Sequence, residues 1–126
     1  MSLITDILPS LARSLGTQLV ILGSNDQAAI ELEDGQYFYF EIITVGVCVS
    51  LVYQSNGSQL LKEIRTLLHL CYYENNIQYQ LSPKFIAEDV LSVSAVLPQE
   101  PVMLSELHCV VEQIHEVMTR VWAQCT

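Results

Sequence analysis

Between residues 27 and 54 the chain alternates apolar and polar positions, and the places where it breaks step outline a sheet. Ile30 and Leu32 alternate with Glu31 and Glu33, an Asp34-Gly35 pair interrupts the run, and aromatic residues follow. A period of two places successive side chains on opposite faces of a strand, and an Asp-Gly pair between two such runs supplies the turn of a tight hairpin. In the return strand Phe38, Phe40 and Ile42 share one face, while Tyr37, Tyr39 and Glu41 share the other. The stretch "GVCVSLVYQ" extends the meander as a third strand, and "SNGS" closes it.

Elsewhere the period lengthens to that of a helix. Leu3, Ile4, Ile7, Leu8, Leu11 and Leu15 predict an amphipathic helix over residues 2–15, with Ser2 before it and Gly16 after it as cap residues. Pro9 lacks a backbone donor, so a kink or a late start is expected there. "TQLVILGSNDQ" then reads as a short strand ending in a turn. Leu60, Leu61, Ile64, Leu67, Leu68, Cys71 and Tyr72 form a broad stripe predicting a second helix from Ser58 to about Asn75, with Lys62, Glu63 and Arg65 opposite. "IQYQL" and "VLSVSAVL" read as two further strands, and "PQEP" breaks the chain. Leu104, Leu107, Val111, Ile114, Met118, Val121 and Cys125 step by three and four, which predicts a last, core-facing helix over residues 104–123. The expected fold is α+β: an antiparallel sheet with three helices, in the order α-β-β-β-α-β-β-α, with room for an extra short strand after the first helix. No repeat, low-complexity tract or boundary divides residues 1–126, which read as a single domain.

Composition narrows the partners. Hydrophobic residues make up 51% and charged ones 15%, which excludes disorder. A formal net charge of −9 repels phosphate backbones and anionic lipid, so neither nucleic acid nor a membrane surface is an expected partner. The apolar runs are too short to cross a bilayer, and Asp6 within an N-terminal segment without a basic start argues against a secretory leader; a cytoplasmic protein is expected. A mean hydropathy of +0.35 in so small a domain implies apolar surface left over after the core is filled, and hence an oligomer or a docking surface.

Candidate chemistry is sparse. Cys48, Cys71, Cys109 and Cys125 include no C-x-x-C pair, and they read as reduced, small hydrophobic residues rather than metal ligands. His108, Glu112 and His115 share a helical face, but without an i, i+4 histidine pair they read as a solvated polar face, and His69 as a hydrogen-bonded boundary histidine. No phosphate-cradling glycine loop and no nucleophile elbow occurs, and serines lack a positioned base. Glu88 and Asp89 are neighbours whose reading is solvation of a strand end rather than acid–base catalysis. Lys62 and Arg65 have no aromatic beside them for base stacking. The sequence therefore predicts no enzyme, no cofactor and no metal. What remains is surface: either helices cover both sheet faces, or Tyr37 and Tyr39 shield a half-wet sheet, or they form a binding platform, where tyrosine offers large contact area with a polar tip.

These features together resemble the class I type III secretion chaperones, the family of the Tir chaperone. "AIELEDGQYFYFEI" is similar to that family's apolar strand, acidic turn and aromatic strand. "LLKEIRTLLHLCYYENN" resembles its second helix, and "VLSVSAVLPQEPVMLSELHCVVEQIHEVMTRVW" its late strand, proline break and final helix. The opening "MSLITDILPSLARSLG" is similar to the start of the subgroup that serves the secretion gatekeeper protein. The resemblance implies a secretion-chaperone-like sandwich in the bacterial cytoplasm. It further implies a homodimer, or a heterodimer with a related chaperone, that holds the N-terminal non-globular segment of a secreted effector or gatekeeper and presents it to the secretion ATPase. It assigns client binding to Ile4, Leu8, Leu11, Tyr37 and Tyr39, and the dimer interface to Leu60, Ile64, Leu67 and Leu68. Two other readings stay open: a small ligand- or metal-binding, enzyme-like α+β domain with His69, His108 or His115 as the polar anchor of a pocket, and a scaffolding adaptor.

Overall fold

A computed structural model describes residues 7–17, 19–21, 27–32, 36–55, 57–72, 79–98 and 104–125. The elements run α1 (Leu8–Ser14), β1 (Leu19–Ile21), β2 (Gln27–Glu31), β3 (Tyr37–Ile43), β4 (Gly46–Gln54), α2 (Leu60–Tyr72), β5 (Ser82–Ala87), β6 (Val90–Pro98) and α3 (Leu104–Cys125). This is the α+β order read from the sequence, with the extra short strand present as β1. The strands form a six-stranded sheet in the order β1-β2-β3-β4-β6-β5, antiparallel at every pairing.

The β2–β3 hairpin has the register its alternation demands. Ile30 stands opposite Phe38 and Ala28 opposite Phe40, so both strands turn their apolar residues to one face. The Leu32 N–H donates to the Gln36 carbonyl at 2.7 Å between the facing ends of the two strands, while the expected Asp34-Gly35 turn lies outside the described residues. β4 and β6 pair without a slip from Gly46↔Pro98 to Gln54↔Val90 and form the middle of the sheet. Phe38, Phe40, Val49, Leu51, Leu91 and Val93 make the floor of the core, and Leu8 and Leu11 of α1, Leu67 and Leu70 of α2, and Leu107, Ile114 and Met118 of α3 close over it. Burying each such side chain stabilises the fold by roughly 1.5–3 kcal/mol. All three helices lie on this face. Among the described residues no helix packs on the opposite face.

The first helix is shorter than residues 2–15. Its α-helical part is Leu8–Ser14 with Pro9 in the first turn; Ile7 before it is also in helical conformation (φ −79°, ψ −48°), and residues 2–6 of the expected span lie outside the described part. Its end is a Schellman cap: the Thr17 N–H donates to the Ala12 carbonyl at 2.9 Å and the Gly16 N–H to the Arg13 carbonyl at 3.1 Å, with Gly16 at φ 71°. α3 runs to Cys125, slightly past the expected limit.

Two sequence expectations are corrected. The strand expected at "IQYQL" lies instead at Ser82–Ala87; residues 77 and 78 are outside the described part, and Tyr79 spends its backbone groups on a side chain of α3 rather than on a neighbouring strand. Pro83 lies within β5, and because β5 is an edge strand its missing donor is tolerated. Glu63, expected on the solvent side of the second helix, points inward and is buried, where its carboxylate accepts a hydrogen bond from the Tyr53 hydroxyl at 3.2 Å.

Candidate polypeptide-binding surface

α2 is apolar on two sides. Glu63, Leu67, Leu70 and Cys71 face the core, as one stripe of a 3.6-residue period requires. A second stripe, Leu61, Ile64, Leu68 and Tyr72, advances by three and four along the outside. Leu61 is 62% exposed, Leu68 41% and Tyr72 56%, values that mark a surface the fold itself does not cover. The broad stripe seen in the sequence is thus two stripes, one for the core and one for solvent.

β5 carries the same theme to the sheet's edge. It pairs with β6 alone, so one side of its backbone ladder has no strand partner among the described residues. Phe85 is 56% exposed and Ile86, at the register shift between Phe85 and Ala87, is 57% exposed. A cleft of about 230 Å³, lined by Ile64, Leu68, Pro83 and Phe85 among its apolar residues and by Lys84, joins this edge to α2. The joined surface therefore offers an apolar helix stripe, a cleft and a free strand edge side by side. Those are the elements that hold an extended peptide: main-chain hydrogen bonds from the edge and apolar pockets for its side chains.

The structure distributes the sequence-predicted site residues unevenly. Leu8 and Leu11, expected to contact a client, are fully buried beneath α3 and belong to the core; an amphipathic helix with one apolar stripe puts that stripe inward. Ile4 lies outside the described residues. Tyr37 and Tyr39 are half-buried on the uncovered sheet face, their ring centroids 6.0 Å apart and the planes tilted by 32°. Of the residues expected at a dimer interface, Leu67 is buried in the core, Leu60 and Ile64 are half-buried, and Leu68 is exposed. Leu61, Tyr72, Phe85 and Ile86 were not singled out for a role. For Leu61 and Tyr72 the clue was a helix stripe too wide for one core face; Phe85 and Ile86 lie beyond "IQYQL", where the strand was expected to end.

The titratable groups do not converge. His108 Nδ1 and Glu112 Oε1 are 3.0 Å apart on one turn of α3, His69 is exposed on α2, and among the described residues no three His, Cys, Asp or Glu side chains gather as metal ligands. Burial raises the Cys71 thiol from its ordinary 9.0 to about 11. Tyr79 is raised as well, first by desolvation and then by the charges of Cys109 and Glu106. Glu88 and Asp89 form the β5–β6 turn, with the Asp89 carbonyl accepting from the Ser55 N–H at 2.7 Å. A groove of about 650 Å³ lies between α3 and the sheet, with Leu15, Leu32, Phe38 and Val111 as apolar lining and His115, Glu116 and Arg120 among its polar residues. Among the described residues no helix is long and apolar enough to cross a membrane.

No family model matches the sequence, and no curated protein matches it. Among solved structures the chain is similar to YbjN from E. coli, for which a role as a transcription regulator has been put forward. The TM-score is 0.56 at 17% identity, over 92% of this chain and 86% of that one. At that identity the likeness shows a shared fold and nothing finer.

Proposed function

We propose that this chain is a chaperone or adaptor that binds polypeptide, of the type III secretion kind, and that it holds the non-globular segment of a secreted effector or gatekeeper protein across the α2–β5 surface. The observation that carries the reading is the run of exposed Leu61, Leu68, Tyr72, Phe85 and Ile86 beside an edge strand. A contiguous apolar patch on a small chain marks a docking site, and the adjoining strand edge suits an extended partner better than a folded one. The net charge of −9 keeps such a protein soluble and favours basic or neutral segments. The resemblance assigned Tyr37 and Tyr39 to the client and α2 to the dimer; the exposures support the reverse allocation.

Coexpression of the chain with candidate secreted proteins, followed by pull-down and mass measurement of the complex, tests this reading. The expected result is a complex with the full-length protein that is lost when its N-terminal segment is removed. The double variant Leu68→Glu, Phe85→Glu is expected to abolish capture while keeping the circular dichroism of the native chain. Undiminished capture by that variant would sink the α2–β5 assignment.

A second reading rests on the groove between α3 and the sheet, whose apolar lining and few polar groups have the character of a small-ligand site. A thermal-shift screen separates the two, because a bound metabolite raises the unfolding midpoint by mass action and a polypeptide surface gives no such response to small molecules.

A further inference from the structure

The α2–β5 surface has a sign opposite to that of the chain around it. The sequence holds 5 Lys and Arg against 14 Asp and Glu. Three of those cations, Lys62, Arg65 and Lys84, stand on these two elements, and all three are exposed. The acid of the same elements, Glu63, points into the core and accepts from the Tyr53 hydroxyl. Glu88 and Asp89 lie past the end of β5, where the Gln54 side-chain amide donates to the Asp89 carboxylate at 3.2 Å. Among the described residues Lys62, Arg65 and Lys84 have no carboxylate partner. The other two cations are placed elsewhere: Arg13 donates to the Ser10 hydroxyl at 3.3 Å, and Arg120 lines the groove beside α3.

The unpaired cations border the apolar patch. Arg65 comes four residues after Leu61 and three before Leu68, so helical spacing sets it on the exposed stripe itself, with Lys62 one turn earlier beside it. On the other margin Lys84 lines the cleft with Ile64, Leu68 and Phe85. A chain lying in that cleft therefore runs between an ammonium on one side and a guanidinium on the other. α2 has 13 residues and β5 has 6, which makes each about 20 Å long. An extended segment laid along them seats about six residues, about three turned to each side. In β5 itself Phe85 stands opposite Leu91, a core residue, while Lys84 stands opposite Ser92. A strand added at this edge thus has one set of side chains level with the apolar patch and the other level with Lys84.

We propose that the polypeptide held here is acidic as well as apolar: an extended segment in which large apolar residues alternate with aspartate or glutamate. The apolar side chains lie on the α2 stripe, and the carboxylates meet Lys84 on one margin and Arg65 and Lys62 on the other. The inference rests on the polypeptide reading above and adds the chemistry of the segment. The net charge of −9 is no obstacle, because salt screens it beyond about 8 Å and the local sign decides at contact. The arrangement also rejects. A basic segment in the same place brings like charges together beside Lys84 and Arg65, so selectivity comes from repulsion as well as attraction.

The experiment uses the full chain and fluorescein-labelled peptides of about twelve residues, long enough to span the surface, in which valine alternates with glutamate, with serine or with lysine. Anisotropy titrations are expected to rank them glutamate, serine, lysine, the first at least about tenfold tighter than the last. That gap is expected to narrow as salt rises from about 50 to about 500 mM. Arg65→Glu with Lys84→Glu, both at exposed positions, is expected to reverse the order while leaving the serine peptide within about twofold of its native affinity. Leu68→Ser with Phe85→Ser, which removes apolar contact without adding charge, is expected to weaken all three and keep their order. A lysine peptide that binds as tightly as the glutamate one, or a glutamate preference untouched by the Arg65 and Lys84 variant, would overturn the assignment. So would affinities indifferent to the Leu68 and Phe85 variant, or the failure of every peptide to bind. The polypeptide reading itself stands or falls by the coexpression pull-down, so the two can fail separately.

Discussion

Gln113 of α3 holds both backbone groups of Tyr79: the Tyr79 N–H donates to Oε1 at 3.2 Å, and Nε2 donates to the Tyr79 carbonyl at 3.0 Å. One side-chain amide thus does for this residue what a neighbouring strand would do, and it fixes where the chain turns into β5.

Replacing Gln113 with alanine leaves those two groups without these partners. The expected cost is about 1–3 kcal/mol. Amide exchange at Tyr79 should quicken well before exchange in β4, and equal protection in the variant and the native chain would show the clasp to be idle.

The Tyr53 hydroxyl, 3.2 Å from Glu63 Oε2, satisfies a carboxylate that α2 carries into the core. Tyr53→Phe removes that donor while keeping the ring against Trp122, with which it makes an edge-on contact at 5.8 Å. Destabilisation of about 1–3 kcal/mol is expected, read as a lower denaturant midpoint at an unchanged slope.

Leu11 and Leu61 separate core from surface. Leu11→Ala opens a cavity under α3 and is expected to cost about 2–5 kcal/mol. Leu61→Ala, at an exposed position, is expected to stay within about 0.5 kcal/mol of the native chain. Thermal or denaturant unfolding of both variants gives the comparison.

Cys71 gives a pH signature. Its folded pKa, raised by burial to about 11, lies above the unfolded value near 9.0, so the folded state holds the proton more tightly. The stability it contributes is fully present below about pH 9 and is lost as pH rises through the folded pKa. Unfolding midpoints measured from pH 8 to 11 should fall more steeply in the native chain than in Cys71→Val. At neutral pH a maleimide should label exposed Cys109 readily and Cys71 only after unfolding.

Much of the fold was legible because burial here follows simple periodicity. Phe38 and Phe40 face the core and Tyr37 and Tyr39 the other side, as alternation demands, and the α3 stripe from Leu107 to Val121 is buried as spaced. Reading failed where a pattern had two solutions. The α2 stripe was too broad for one face, and only packing separates Leu67, which faces the sheet, from Leu68, which does not. Leu8 and Leu11 were given to a client by the resemblance alone; the spacing of a one-striped amphipathic helix puts them in the core, where they lie. β5 was misplaced because "IQYQL" alternates cleanly, whereas the true strand carries Pro83, whose lost donor matters in mid-sheet and not at an edge. The alternation told which residues share the tyrosine face but left open whether a helix covers it, since which side three helices choose depends on contacts distant in sequence.

The central pairing of β4 with β6 has a consequence for birth on the ribosome. β4 is complete at Gln54, but its partner strand begins only at Val90, after α2 and β5 have been made. A nascent chain must therefore carry the β1–β4 meander with a long, apolar flank open to strangers for the time taken to add those residues, at roughly 5–20 residues per second. The molecule passes through a sticky adolescence before it can bind anything to purpose.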